Sequence, residues 1–336
     1  MGPPSRPDGA CTAIVSHSAL EIQEAALGEP EEGDVVARSP LQLFWRRFRR
    51  DRVAIGALAF IVLLILIAVT APLLIKALDL QPLNSPNTEE LDSFGSPTGP
   101  SSVHPLGVDD LGRDILARVI YGARVSLEVA FISTGVAVFI GVLIGTLAGF
   151  FRGWIDAALS RFMDVVLAFP ILLLAIGLAS ACSLGKGCMG GLIQPGETTL
   201  IVVIALSSWP YIGRIIRGQV LSLREKEFVE ASRSLGASNW RIMRREILPN
   251  LVAPIIVYTS LILPTNILYE AALSFLGVGV RPPTASWGQM IAQASPVFDT
   301  AWWYMLFPGL ALVMTVLAFN LVGDGLQDAL DPRGDR

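Results

Sequence analysis

The sequence predicts an all-α polytopic membrane protein with six transmembrane helices, and three observations carry that reading. Its residues are 52% hydrophobic and only 16% charged, against about 45–50% apolar and about 25% charged in an ordinary globular domain. Six apolar runs are each long enough to cross a hydrocarbon core about 30 Å thick, which takes about 20 residues of helix. The basic residues are also unevenly spread. Of the 25 Lys and Arg, only Lys76, Arg113, Arg118, Arg124, Lys186 and Arg281 fall in one set of alternating connections. The positive-inside rule then places both termini and the loop before span five in the cytoplasm.

Residues 1–40 are rich in Glu, Pro, Gly and Ser, with Glu29, Glu31, Glu32 and Asp34 close together. Such a stretch buries little, so a disordered acidic cytoplasmic tail is expected. It lacks a basic start running directly into an apolar core, so it is not read as a signal peptide and span one is read as an uncleaved anchor. Residues 41–52 form a basic aromatic segment. Arg46, Arg47, Arg49, Arg50 and Arg52 would face anionic lipid, and Phe44, Trp45 and Phe48 the acyl boundary; a plain topology signal accounts for the same charges.

The six-helix domain covers 53–326, with spans at 53–74, 127–150, 162–181, 200–216, 251–276 and 302–322. Residues 327–336 are expected to be a cytoplasmic tail. Outer loop 76–126 is rich in Ser, Pro and Asn up to Ser102, which suits a surface for a binding protein, and Gly112-Arg113-Asp114 reads as the start of a short outer helix. Span two carries Gly135, Gly141, Gly145 and Gly149, the last three on one helical face, where a neighbouring backbone can approach closely. Pro170, Pro210 and Pro264 interrupt spans three, four and five. Pro210 and Pro264 are thereby candidate gate elements.

Ionisable groups at membrane depth cost about 2.5–3.5 kcal/mol each on insertion scales. Asp164 and Glu270 are therefore expected to face protein or water. For Glu270 the sequence leaves two roles open: an ion pair with Arg124, or lining the exit of a translocation path. Cys182 and Cys188 fall in the outer loop between spans three and four, where a disulfide can form, though spacing alone does not decide it. His17 and His104 make no metal-ligand pattern, and no metal site is expected. Neither a P-loop nor a nucleophile-and-base constellation occurs; Gly185-Lys186 lacks the upstream glycine. The chain is not expected to be an enzyme, and no nucleic-acid partner is expected.

The most informative stretch lies in cytoplasmic loop 218–250 and reads EFVEASRSLGASNWRIMRREILPN from Glu227 to Asn250. Residues 227–235 should form a helix that Gly236 ends with a left-handed turn. Ser238 can cap a second helix running to Leu248, and Pro249 suits the first turn of span five. Arg233, Arg241, Arg244 and Arg245 surround this unit. Val229, Ala231 and Leu235 are then among the few apolar side chains available to a partner.

The spacing of Glu230-Ala231, Gly236 and Leu248-Pro249 resembles the coupling loop of ABC-importer permeases. The likeness extends through HPLGVDDLGRDILARVIYGARVSL from His104, SSWPYIGRIIRGQVLSLREK from Ser207, and EAALSFLGVGVRPPTASWGQM from Glu270. These segments are similar to the C-type permeases of dipeptide, oligopeptide and nickel ABC importers. Two positions depart from that pattern: the alanine run of the motif is Glu230-Ala231-Ser232 here, and Val108 stands where a small polar residue is usual.

The resemblance implies the type I ABC-importer permease fold in a bacterial-type inner membrane. Its partners would be a second permease, two cytoplasmic ATPases carrying ATP and Mg, and an extracytoplasmic substrate-binding protein. This chain would bind no cofactor itself. Glu230, Ala231, Ser232, Leu235, Gly236, Leu248 and Pro249 would couple it to the ATPases, with transport by alternating access. Peptides are the expected cargo. Nickel or another small solute is the alternative within this class, and an ATP-independent carrier or channel the alternative outside it.

Overall fold

The computed structural model describes Gly2 and residues 40–80, 83–183, 193 and 196–330. The chain divides into Met1–Leu43 and Phe44–Arg336. The tail expected at 1–40 lies almost wholly outside the described residues, and so do Lys186, Cys188 and residues 331–336.

Helix α1 (Pro40–Phe48) forms most of the basic aromatic segment. Phe48 stacks on Phe44 and Trp45 at centroid distances of 6.0 and 6.3 Å, and Arg49 lies 5.1 Å from the Trp45 ring. Phe48 is buried against Ala54 and Ala329. It therefore faces protein, not the acyl boundary expected for it, while Trp45 stays exposed.

Helix α2 (Arg52–Ala77) begins where the Asp51 carboxylate accepts from the Val53 and Ala54 amides. Ala54, Ala57, Ile61, Leu64, Ala68 and Ala71 recur every three or four residues and form its buried stripe. Val62, Leu63, Leu66, Val69 and Leu73 point away from the protein, as a lipid-facing helix requires.

Helix α3 (Ile115–Phe150) is a single helix of 36 residues, so no separate short outer helix precedes span two. Asp114 caps it by accepting from the Ala117 amide at 2.9 Å. The three spaced glycines lie against α6 (Glu197–Leu223). A Cβ at Gly141, Gly145 or Gly149 would stand 2.8, 2.5 or 2.8 Å from the carbonyl oxygens of Trp209, Gly213 and Arg217. Small residues permit this close contact, where dispersion replaces the hydrophobic drive that lipid cannot supply.

The expected third span is not one helix. It is α4 (Trp154–Ala168) and α5 (Ile171–Ser183), bent by 88°. Pro170 lies at the break, and it disfavours a helical conformation at Phe169, whose φ and ψ are −82° and 135°. Pro210 and Pro264, by contrast, sit inside helices that continue past them. Among the described residues, five helices are long and apolar enough to cross a membrane, six if the bent pair counts as one span.

After α6 come α7 (Glu227–Ser234) and α8 (Asn239–Ile242), then α9 (Leu248–Phe275). Between α9 and the last span lies a short helix the sequence reading did not anticipate, α10 (Trp287–Ala294), followed by α11 (Trp302–Leu330). The last helix thus runs into the segment expected to be a tail. One core joins α3, α6 and the hairpin through Trp209, Ile212, Ile216, Val229, Ile242 and Ile247. Another joins α2, α3, α9 and α11.

Candidate coupling and translocation site

The hairpin α7–α8 closes with a Schellman motif. The Gly236 amide donates to Arg233 O at 3.0 Å and the Ala237 amide to Ser232 O at 3.1 Å, with Gly236 at φ +78°. A side chain resists that backbone region. Ser238 then caps the next turn by accepting from the Arg241 amide.

The helix expected to stop at Leu248 does not stop. Met243–Ile247 forms a π turn in which the Leu248 amide donates to Met243 O, and the chain passes straight into α9. Pro249 has no N–H to give, and the wider turn just before it shifts the hydrogen-bond ladder where the donor is missing. The hairpin is therefore joined to a membrane helix without a flexible link.

Exposure sorts the expected coupling residues. Leu235 is 89% exposed and Trp240 67%; Glu230, Ala231, Gly236 and Pro249 are exposed as well, while Ser232 and Leu248 are half-buried. Val229 is wholly buried with Ile242, Met243 and Ile247, so it anchors the hairpin and is not available to a partner. Phe228 and Trp240 join Leu235 as large apolar side chains exposed on the hairpin.

Beside the hairpin is a polar cavity of about 410 Å³ lined by Arg152, Arg224, Glu225, Glu230, Arg233 and Ser234. Arg152 pairs with Glu225, and Arg224 donates to Phe150 O at 2.7 Å. Two further pairs tie α4 to α6: Arg217 reaches Asp156 through both Nε and Nη2, and Arg214 donates to Asp164 at 2.7 Å. Asp164 thus has a cationic partner.

Pro210 and Pro264 flank a groove of about 520 Å³ between α6 and α9. Ser208, Tyr211, Tyr258, Thr265, Asn266 and Tyr269 supply its polar lining. Three of the five tyrosines of the chain meet here. Ser208 donates to Asn266 Oδ1 at 2.9 Å, and Asn266 Nδ2 donates to Thr134 Oγ1 at 2.8 Å. Buried Asn266 thereby holds its own orientation and that of Ser208.

Glu270 is wholly buried. It accepts from the Ser274 hydroxyl at 2.9 Å, with Ser126 and Ser286 also beside it. Serines, not Arg124, surround it. Arg124 lines a separate surface cleft with Glu128.

At the end of the bundle away from the hairpin, a buried charged network that the sequence reading missed pins loop 76–126 to the helices. Asp109 accepts from Arg113 Nε at 2.6 Å and lies 3.4 Å from Arg118 Nε. Arg118 also reaches Gln289 and Gln293 of α10, and the Tyr304 hydroxyl donates to Gln293 at 3.1 Å. His104 sits between Asp114 (2.7 Å) and Glu90 (3.3 Å). Burial, aided by the Asp109 carboxylate, raises the Asp110 carboxyl above its ordinary range, against the pull of Arg113 and Arg118. The alternation of acids and bases in HPLGVDDLGRD was the available signal. Val108 is fully buried there, which accounts for an apolar residue at that position.

Cys182 is disulfide-bonded, while its candidate partner Cys188 lies outside the described residues. Among the described residues no group of three or more His, Cys, Asp or Glu is placed to hold a metal.

These features define a class: a helical membrane protein with an exposed helix-turn-helix rigidly joined to one of its long apolar helices. The model of the binding-protein-dependent transport system inner membrane component matches residues 141–336, and that of the N-terminal membrane domain of oligopeptide transport permease C matches 39–87. The chain is 40% identical over 304 residues to the dipeptide transport system permease protein DppC of Alkalihalophilus pseudofirmus, spanning 90% of this chain and 93% of the relative. It is 41% identical over 300 residues to the glutathione transport system permease protein GsiD of Pectobacterium atrosepticum, spanning 89% and 93%. An inward-facing structure of the MetNI methionine ABC transporter shares the fold at TM-score 0.54 and 21% identity, over 65% of this chain and 98% of that one. The chain therefore belongs to the binding-protein-dependent transport system inner membrane components, non-catalytic multi-pass permeases of ABC importers that work with ATPase and binding-protein partners.

Proposed function

We propose that this permease imports short peptides. Its relatives at 40–41% identity carry dipeptides and glutathione, itself a tripeptide. The groove between α6 and α9 suits such cargo: its lining is largely apolar, with tyrosine, serine, threonine and asparagine groups at membrane depth. Polar side chains are costly against lipid, so this face is read as the wall of the path, closed by a second permease. Pro210 and Pro264 let its two helices bend.

The hairpin lies in the cytoplasm in this reading, with both termini, and each of two ATPases holds one permease by Leu235 and Phe228. The single observation that carries the coupling role is the Schellman-locked hairpin continuing through a π turn into α9. A push on such a hairpin moves a path-lining helix as one body. ATP-driven closure would turn the path outward to accept peptide from the binding protein at the end built by loop 76–126 and α10; hydrolysis would reset it. Cys182 and Cys188 are read as the bonded pair at that same end.

The test is purification of the tagged chain in nanodiscs with mass spectrometry of its companions, then uptake of labelled dipeptide, glutathione and Ni²⁺ by the reconstituted complex. ATP-dependent peptide uptake that requires the binding protein is expected. Uptake without nucleotide by the chain alone, or of Ni²⁺ in preference to peptide, would overturn the proposal.

A further inference from the structure

A second groove lies nearer the start of α9, and its chemistry differs from that of the tyrosine groove. It holds about 550 Å³ between α3 and the start of α9. Its α3 wall is Gly135, Val138, Phe139, Val142, Leu143, Thr146 and Leu147, a stripe with alternating steps of three and one that keeps to one helical face. The distance from Gly135 to Leu147 is about 18 Å at the helical rise. That is close to the depth of one leaflet, half of the roughly 30 Å hydrocarbon core.

The groove is apolar along its length and cationic at one end. Trp240 and Arg244 line that end, at the hairpin, with Arg241 and Arg245 as near neighbours in sequence. None of the three arginine side chains has an ion pair or hydrogen bond among the described residues. Phe139, Leu143 and Trp240 are exposed. The floor is open: a Cβ at Gly135 would meet nothing within 4 Å, unlike those at Gly141, Gly145 and Gly149.

We propose that this groove binds an anionic phospholipid, its acyl chain along Val138, Val142 and Leu143 and its phosphate at Arg244. The apolar stripe matches one acyl chain. Trp240 sits where an indole prefers the headgroup boundary. A zwitterionic lipid would fill the same groove with little from the arginines, so the headgroup must carry net negative charge. Arg244 belongs to the π turn between hairpin and α9, so the lipid headgroup would rest against the joint that carries coupling motion.

The test uses the whole transporter in nanodiscs of phosphatidylcholine with a minor fraction of phosphatidylglycerol, read by native mass spectrometry of retained lipid. The wild type should retain phosphatidylglycerol over phosphatidylcholine. Arg244→Gln should lower that retention about fivefold, the worth of one basic residue near a membrane surface. Gly135→Leu, which fills the floor without touching a charge, should also lower it and keeps the test open if Arg244→Gln does not insert. Equal retention of both lipids, or retention indifferent to both substitutions, overturns the proposal. So does an Arg244→Gln complex that loses its ATPase subunits while keeping its lipid, because the arginine would then belong to the docking surface.

Discussion

The backbones of Gly145 and Gly213 touch: a Cβ on Gly145 would stand 2.5 Å from the Gly213 carbonyl oxygen. This contact sets the spacing between α3 and α6, the helix that leads into the hairpin.

Gly145→Leu should therefore separate α3 from α6. Overpacking a tight contact costs about 1–3 kcal/mol or more, and here the obstructing atoms are backbone. A lower unfolding midpoint in detergent is expected, while Gly135→Ala, facing open space, should leave the midpoint unchanged. Equal effects at the two glycines would mean that the ladder is not a packing device.

Gly236→Val should strain the Schellman turn by about 1–2 kcal/mol, because a β-branched residue is forced to φ near +78°. The protein should still insert, since Gly236 is exposed and packs on nothing. Binding-protein-stimulated ATP hydrolysis should fall. Undiminished stimulation would sink the coupling role assigned to the hairpin.

Leu235→Asp should leave the unfolding midpoint nearly unchanged, as the side chain is almost wholly exposed. Recovery of ATPase subunits with the tagged chain should drop at least tenfold, the effect of losing an interface anchor worth roughly 2 kcal/mol. Val229→Asp should do the reverse, destabilising the chain itself, because Val229 lies inside it.

Asp109→Ala should cost about 3–5 kcal/mol, since it leaves Arg113 and Arg118 buried without their shared carboxylate. Loss of folded protein, or of the α10 contacts seen by hydrogen exchange, is the expected outcome.

Asp110 predicts a pH dependence. Its folded pKa is raised, so the folded state holds this proton more tightly than the unfolded chain does. The penalty for charging it grows as pH rises from the ordinary carboxylate value through the raised one. The unfolding midpoint of wild type relative to Asp110→Asn should therefore fall as pH increases across that window. A constant difference would remove Asp110 as its source.

Much of this molecule was legible from residue order alone, because lipid enforces simple rules on a chain. A helix crossing hydrocarbon must be about 20 residues long and apolar, so runs such as 53–74 and 302–322 announced themselves. Gly236 and Ser238 specified the hairpin, since a left-handed turn and an N-cap are local chemistry. Tertiary structure decided what depends on the neighbours of a side chain. A proline inside an apolar run reads alike at 170, 210 and 264, yet the chain turns by 88° only at Pro170, while packing carries the helices past Pro210 and Pro264. Val229 and Leu235 are both apolar residues of one short hairpin, and only the fold buries the first and exposes the second. Asp109 finds Arg118 across a turn, and Arg118 finds Gln289 across 171 residues. Pairings at such sequence separation leave no periodic trace, because they depend on where helices meet and not on how each helix forms.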